Sequence, residues 1–281
     1  MAGADGFGFQ AEFAGNSLSS RFAGLTRSND SAYMPNIVGF GSRAETTGER
    51  VDGPIERYVA ILGDLVGSRD VPDRAELQRE LKRILGRFEV EQPVRGLRRA
   101  GPEITAGDEF QLLLAAEVPG TAVMTYLTEL TEDLPQTRIA FGVGLGALST
   151  DLGGPVRELD GPCFHRARHA LETAKRKGLW AMVAGLPSPL EEAANAILRL
   201  TGDIRATWTD RQLEMIRRRR RFPVQKDIAQ QLAVSPSVVS EVLKAARHDA
   251  IQGAEHVVAS LLNRATDPEG FAPWTAEASD E

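Results

Sequence analysis

An α+β domain followed by an all-α one is what this 281-residue sequence predicts. Three observations predict it. Between Tyr58 and Ala184, short apolar and partly β-branched runs alternate with segments of helical period, in the order β-α-β-β-α-β-α-β. Pro187 and Pro189 interrupt the chain, and from Leu190 to about Asn263 every periodic segment is helical. Charge divides at the same place. Residues 205–248 hold ten Lys/Arg against four Asp/Glu, a net +6, so the rest of a chain of net charge -6 carries -12.

The run Tyr58–Asp64 is short, apolar and stopped by Gly63-Asp64, which predicts a buried strand. Asp73 then caps a helix whose Leu77, Leu81, Ile84, Leu85 and Phe88 share one face. Residues 102–107 and 110–115 predict a hairpin turning at Gly107-Asp108. Pro119 opens a second helix to about Asp133. In 138–146, Ile139, Phe141, Val143 and Leu145 alternate with Ala or Gly, a strand that admits a close neighbour on one side. A third helix runs from about Pro162 to Lys177, stops at Gly178, and leads into a strand Leu179–Ala184. This order predicts an antiparallel sheet with helices on one face. Domain bounds follow: 1–57 an extension, 58–185 the α+β domain, 188–265 the helical domain and 266–281 an acidic tail.

Hydrophobic residues at 42% and charged residues at 26% exclude a wholly disordered or fibrous chain. A single cysteine, Cys163, excludes an internal disulfide framework and fits a reducing compartment, so a cytoplasmic location is expected. No apolar run reaches membrane-spanning length, and the first twenty residues hold no Lys or Arg, so neither a membrane partner nor a signal peptide is expected. Residues 1–57 hold nine Gly, six Ser and five of the eleven Phe without sustained periodicity. They read as a disordered extension or an overextended start; the alternative is an arm that docks its Phe residues on a partner.

The chemistry-bearing residues of the α+β domain are carboxylates. Asp64 ends the first strand in Gly63-Asp64-Leu65-Val66-Gly67-Ser68, and Asp108 and Glu109 sit at the hairpin tip. If these strands are neighbours, the carboxylates converge and repel unless a cation separates them. Mg²⁺ or Mn²⁺ carrying a nucleoside triphosphate is the candidate. Gly63, Gly67 and Gly107 would let backbone N–H groups approach the phosphates. The plainer alternative is that Gly-Asp is a common turn dipeptide and an Asp at a strand end a cap. Cys163, His165 and His169 lack an evident fourth ligand for zinc, and the two histidines are candidates for lining the nucleotide cleft. Gly142, Gly144 and Gly146 lie within a strand and do not make a dinucleotide loop.

Residues 58–184 resemble the palm domain of class III nucleotide cyclases and GGDEF diguanylate cyclases. Three segments carry the resemblance: Asp64 with Gly67-Ser68, Gly107-Asp108-Glu109-Phe110, and Ala170-Leu171-Glu172-Thr173-Ala174-Lys175-Arg176-Lys177-Gly178. It implies a ferredoxin-like, cyclase-like palm with Asp64, Asp108 and Glu109 toward metal and Ser68 and Lys175 toward phosphate. Lys175 also suits any helix C-terminus. With Gly161-Pro162 before the third helix and a helical end after it, residues 58–263 are most similar to the SatD family. The chain departs from the cyclase pattern at three places. Ile104 stands where cyclases carry a base-selecting Lys, Ala106 where GGDEF enzymes need Gly, and His165 and His169 where class III enzymes place an Asn and an Arg.

Gln225–Lys244 has the pattern of a helix-turn-helix: Ile228, Leu232, Val234, Val239 and Val242 are apolar, Ala229 is small at the crossing, and Ala233 stands where Gly is more usual. Ser235-Pro236 starts the second helix, leaving Ser237, Ser240, Glu241 and Lys244 outward for base edges and phosphates. Trp208-Thr209-Asp210-Arg211-Gln212 opens a preceding helix and resembles the start of LuxR-type and sigma-region-4-like DNA-binding domains. Arg217, Arg218, Arg219, Arg220 and Arg221 are either phosphate contacts or a solvated helix end. The expectation is a regulator that binds metal–nucleotide in the palm and DNA through 205–248, as a homodimer. The alternatives are an active nucleotide cyclase or transferase, and a scaffold that uses both folds for protein contacts.

Overall fold

A computed structural model describes residues 57–68, 71–90, 96–134 and 137–266. Apart from Arg57 and Thr266, the N-terminal extension and the acidic tail lie outside the described residues. Five strands form one sheet: β1 (Tyr58–Val66), β2 (Arg98–Ala106), β3 (Glu109–Ala115), β4 (Arg138–Gly146) and β5 (Ala181–Ala184), in the spatial order β2-β3-β1-β4-β5. Every neighbouring pair is antiparallel except β4 and β5, which run parallel. Between them lie α1 (Arg74–Val90), α2 (Gly120–Asp133) and α3 (Pro162–Lys177). Local signals act as expected at three ends. Asp73 accepts a 2.8 Å hydrogen bond from the Glu76 N–H, Pro162 stands in the first turn of α3, and Gly178 ends it at φ 71°.

The helices do not share one face, which corrects the one-faced sheet that the element order predicts. Along β1, Val59, Ile61 and Leu65 pack with α1 and α2, whereas Tyr58, Ala60 and Leu62 pack with Cys163, Phe164, Ala167 and Leu171 of α3. The reason lies in β4. A Cβ built on Gly142 would stand 2.0 Å from the Ala167 carbonyl oxygen, and one on Gly144 would stand 2.1 Å from that of Cys163. Side chains on that face of β4 would hold α3 off; glycine lets its backbone seat directly on the strand.

The chain continues as α4 (Leu190–Arg205), α5 (Asp210–Arg221), α6 (Gln225–Gln231), α7 (Pro236–Ala245) and α8 (His248–Thr266). Ala194 and Leu198 of α4 and Val258, Ala259 and Leu262 of α8 join the core that α1 and α2 form on the sheet. Asn195 covers the outer edge of β5, its side chain bonding the Val183 N–H at 2.8 Å and the Val183 carbonyl at 2.9 Å, as a sixth strand would. Helices α5, α6 and α7 instead have a core of their own, made of Met215, Ile216, Ile228, Ala229, Val239, Leu243 and Ala246. Thr209 and Gln212 close a reciprocal capping box at the start of α5, and Ser235 with Pro236 starts α7. No helix among the described residues is long and apolar enough to cross a membrane.

Ala233 lies between α6 and α7 at φ 51°, a left-handed conformation that an L side chain adopts at a cost. Ala233→Gly is expected to stabilise the protein by about 0.5–1 kcal/mol. The check is a rise in the urea midpoint at unchanged slope; an unchanged or lower midpoint would show that the turn holds Ala without strain.

Candidate nucleotide site and basic helical surface

Side chains alternate along a strand, so Asp64 faces α3 with Tyr58, Ala60 and Leu62. The antiparallel ladder sets Asp64 opposite Glu109. Asp64 is 8% exposed, and a carboxylate so placed needs a compensating charge. Helix α3 supplies it. Lys175 and Arg168 are seven residues apart, two turns, and so share a face. The Lys175 Nζ lies 2.7 Å from Asp64 Oδ2, and an Arg168 guanidinium nitrogen lies 3.2 Å from Glu109 Oε1. Gln111, two residues along β3, donates its Nε2–H to the same Glu109 oxygen at 3.2 Å. Asp108 at the hairpin tip accepts a hydrogen bond from Ser68 Oγ, tying the turn after β1 to the β2–β3 turn.

Asp64, Glu109 and Lys175 therefore meet, and Ser68 meets Asp108. Gly67 and Gly107 take the left-handed turn positions, with φ of 77° and 65°. Gly63 has a different use from the one its place in the motif suggests. A Cβ there would lie 2.1 Å from the Phe110 ring, which belongs to the core on the opposite face, so this glycine makes room for core packing. Arg168 and Gln111 escaped the sequence reading, although the period of seven on α3 and of two on β3 points to both.

No three His, Cys, Asp or Glu side chains gather to hold a metal among the described residues. Zinc does not fit Cys163, His165 and His169. Cys163 is buried on the sheet-facing side of α3, and burial pushes its thiol up to about 11. His165 is exposed and its Nε2 lies 2.7 Å from Asp160 Oδ1. That hydrogen bond, with a second from the Gly161 N–H, holds the Asp160 carboxyl below its ordinary value. A hydrated Mg²⁺ asks for less. One or two carboxylates suffice where phosphate and water complete the octahedron, and the facing Asp64–Glu109 pair meets that need. Both carboxylates already lie beside a cation that would then be free to turn to phosphate. His165, His169 and Arg168 of α3 line a cleft of about 400 Å³ with Arg157 and with Gln111 of β3.

On α7, Ser237, Ser240, Glu241 and Lys244 are all exposed. The arginine run is divided. Arg217 donates to the Glu132 main-chain carbonyl in the last turn of α2 (Nε to O 2.6 Å), and Arg220 pairs with the Glu132 carboxylate. These two are turned to the sheet domain rather than outward. Arg218 binds Glu214 and Gln231 within the helical unit, Arg219 donates to the Pro223 carbonyl, and Arg221 is exposed. Glu132, 4% exposed in its side chain, also receives Arg205 at 3.0 Å. The Arg205 guanidinium lies 5.2 Å from the Trp180 ring centre and 4.9 Å from that of Trp208. Nothing local in the sequence marks this cluster, because its members lie on four separate segments.

Among solved structures, part of the chain is similar to a bacterial light-regulated adenylyl cyclase, at 12% identity and a TM-score of 0.37, over 46% of this chain and 75% of that one. It is also similar to the catalytic core of a rhodopsin-guanylyl cyclase with converted specificity in complex with ATPαS, at 15% identity and a TM-score of 0.32, over 42% of this chain and 73% of that one. No curated protein matches the sequence. Residues 58–253 match the SatD family, and this match, spanning the sheet, the helices on both its faces and the basic helical unit, places the chain in that family.

Proposed function

We propose that the protein binds a divalent metal–nucleoside triphosphate beside Asp64 and Glu109, and DNA through α6 and α7 read as a helix-turn-helix. The observation that carries the first half is the facing Asp64–Glu109 pair with Lys175 2.7 Å from Asp64. Bound there, Mg²⁺ or Mn²⁺ would supply charge neutralisation between carboxylates and phosphate. Asp64 and Glu109 would hold it, and Lys175 and Arg168 would be free to turn from carboxylate to phosphate oxygen. Ser68 keeps the two turns together through Asp108. Ile104 and Ala106 replace residues that cyclases use for base selection and substrate clearance, which favours binding over turnover.

Calorimetry on Asp64→Asn is expected to show at least about tenfold weaker Mg²⁺-nucleotide affinity, with Lys175→Ala weakening triphosphate more than monophosphate. Unchanged affinity in both variants would remove the site. Product analysis with each triphosphate separates binding from turnover.

The second half is supported by four exposed side chains of α7 and by the net +6 of residues 205–248, although Arg205, Arg217 and Arg220 of that count are turned to the sheet domain. Lys244→Gln in the full-length protein is expected to weaken all DNA sequences alike and to reduce the log–log salt slope by about 0.9. Ser240→Ala is expected to alter preference among sequences instead. No DNA binding at low salt in a genomic-library selection would leave α6 and α7 as a protein-contact module. Dimerisation and a cytoplasmic location complete the proposal, since a dimer would place two copies of α7 for two half-sites.

A further inference from the structure

Gln111 is 7% exposed and stands on the same side of β3 as Glu109, facing α3. Its Nε2–H donates to Glu109 Oε1 at 3.2 Å. A carboxylate oxygen only accepts, so this bond fixes which way round the amide lies. The other end, Oε1, meets no donor among the described residues, and it is not sealed off from solvent. An acceptor so largely covered is costly to leave without a donor. Gln111 also lines the cleft of about 400 Å³ beside α3, a volume within the range of about 300–1,000 Å³ for pockets that hold small organic ligands.

This cleft adjoins the carboxylates, because Arg168 and Gln111 each bond Glu109 and each line the cleft. Along the extended strand Gln111 is about 7 Å from Glu109. The lining does not ask for an ion. Arg157 pairs with Glu103, Arg168 with Glu109 and His165 with Asp160, while Glu172 is exposed to water. Leu159 and Phe164 add apolar surface. A neutral group with an apolar face and an N–H to give fits such a lining, and in a nucleoside triphosphate that group is the base. We infer that the base enters this cleft and that Gln111 selects it, with Oε1 accepting from an exocyclic amino group. A keto group at the same place would set one acceptor against another. The inference rests on the metal–nucleotide reading of Asp64 and Glu109, and it gives to β3 a task that the apolar Ile104 cannot perform. Adenine, guanine and cytosine carry such an amino group, whereas hypoxanthine and uracil carry none.

The test is calorimetry on the full-length protein with Mg²⁺ and three pairs of triphosphates, ATP against ITP, GTP against ITP and CTP against UTP. Mg²⁺–tripolyphosphate serves as the probe without a base. In at least one pair the amino-bearing member is expected to bind about tenfold or more tightly than its partner. Gln111→Leu and Gln111→Met are each expected to bring that ratio close to one, whatever they do to affinity as a whole. Histidine-ring NMR on the wild-type protein locates the base independently of any variant. The signals of His165 and His169, which line the cleft, are expected to shift more with the preferred nucleotide than with Mg²⁺–tripolyphosphate, while His248 and His256, which line a different cavity, stay unmoved. Equal binding within every pair, alongside binding of Mg²⁺–tripolyphosphate, would overturn the inference and leave the metal–phosphate site standing. A ratio kept by both Gln111 variants, or sensitivity to 2′-deoxyribose in place of the amino group, would overturn it too, the latter by assigning Oε1 to the sugar. No binding of tripolyphosphate or of any nucleotide would remove the metal–nucleotide site itself.

Discussion

Glu132→Ala is expected to destabilise the protein by about 3–5 kcal/mol, the range for removing one partner of a buried ion pair. Glu132 is 4% exposed in its side chain and faces two arginines, Arg205 and Arg220. Removing the carboxylate strands Arg205, itself 7% exposed, with only Glu255 to balance it. Arg220, at 27% exposed, still reaches water, so Arg220→Gln is expected to cost less. The readout is the urea midpoint together with tryptophan emission, because the Trp180 and Trp208 rings both lie against Arg205. A red shift well before global unfolding would show the helical unit detaching first. A loss under about 1 kcal/mol would mean that water solvates the stranded arginines and that the cluster does not hold the two parts together.

Much of the fold was legible because local signals and period agree. The bounds of β4 and α3, the cap at Asp73 and the glycine stop at Gly178 each follow from one or two residues, whereas Ala233, whose side chain asks for a different turn geometry, keeps the left-handed conformation usual for Gly. The face on which α3 packs was not legible from element order, although Gly142 and Gly144 announce a close neighbour. Period 2 says that something approaches, and only tertiary packing says what. The candidate site was legible in its acidic half, since Asp64 and Glu109 lie at strand ends that pair. Its basic half was legible at Lys175 but not at Arg168. The arginine run was the hardest to read. A helix C-terminus tolerates arginines whether they face solvent, phosphate or another helix, and no local feature of Arg217 or Arg220 tells that their partner, Glu132, is 85 or more residues away.

The chain also separates two uses of charge. Around Asp64 and Glu109 the carboxylates are mostly covered, at 12% and 19%, while their cations stay half-exposed, Lys175 at 44% and Arg168 at 50%. With its own end in water each cation can change partners at modest cost, as the proposed nucleotide site would require. Around Glu132, Arg205 is buried with two indole rings against its guanidinium, which suits a fixed joint.

Gly144→Ala is expected to be among the most damaging single methyl groups that can be added to the sheet, with a loss at or beyond the upper end of the usual 1–3 kcal/mol for overpacking. An ideal Cβ there meets the Cys163 oxygen at 2.1 Å, the Ala167 nitrogen at 2.3 Å and the Ala167 Cα at 2.9 Å. All three are backbone atoms of α3, so no flexible side chain can yield and the helix must lift from β4. Lifting α3 also withdraws Lys175 from Asp64 and Arg168 from Glu109, so any folded fraction is expected to bind nucleotide more weakly. Gly86→Ala in α1 is the matched control. Nothing lies within 4 Å of its Cβ, and the methyl group is expected to stabilise that helix by about 0.5–1 kcal/mol. Opposite signs for the two substitutions, read as urea midpoints on the full-length protein, follow only if β4 is the bed on which α3 and its two cations rest. A tolerated Gly144→Ala would show α3 free to shift, and the pairing of Lys175 with Asp64 would then lose its structural support.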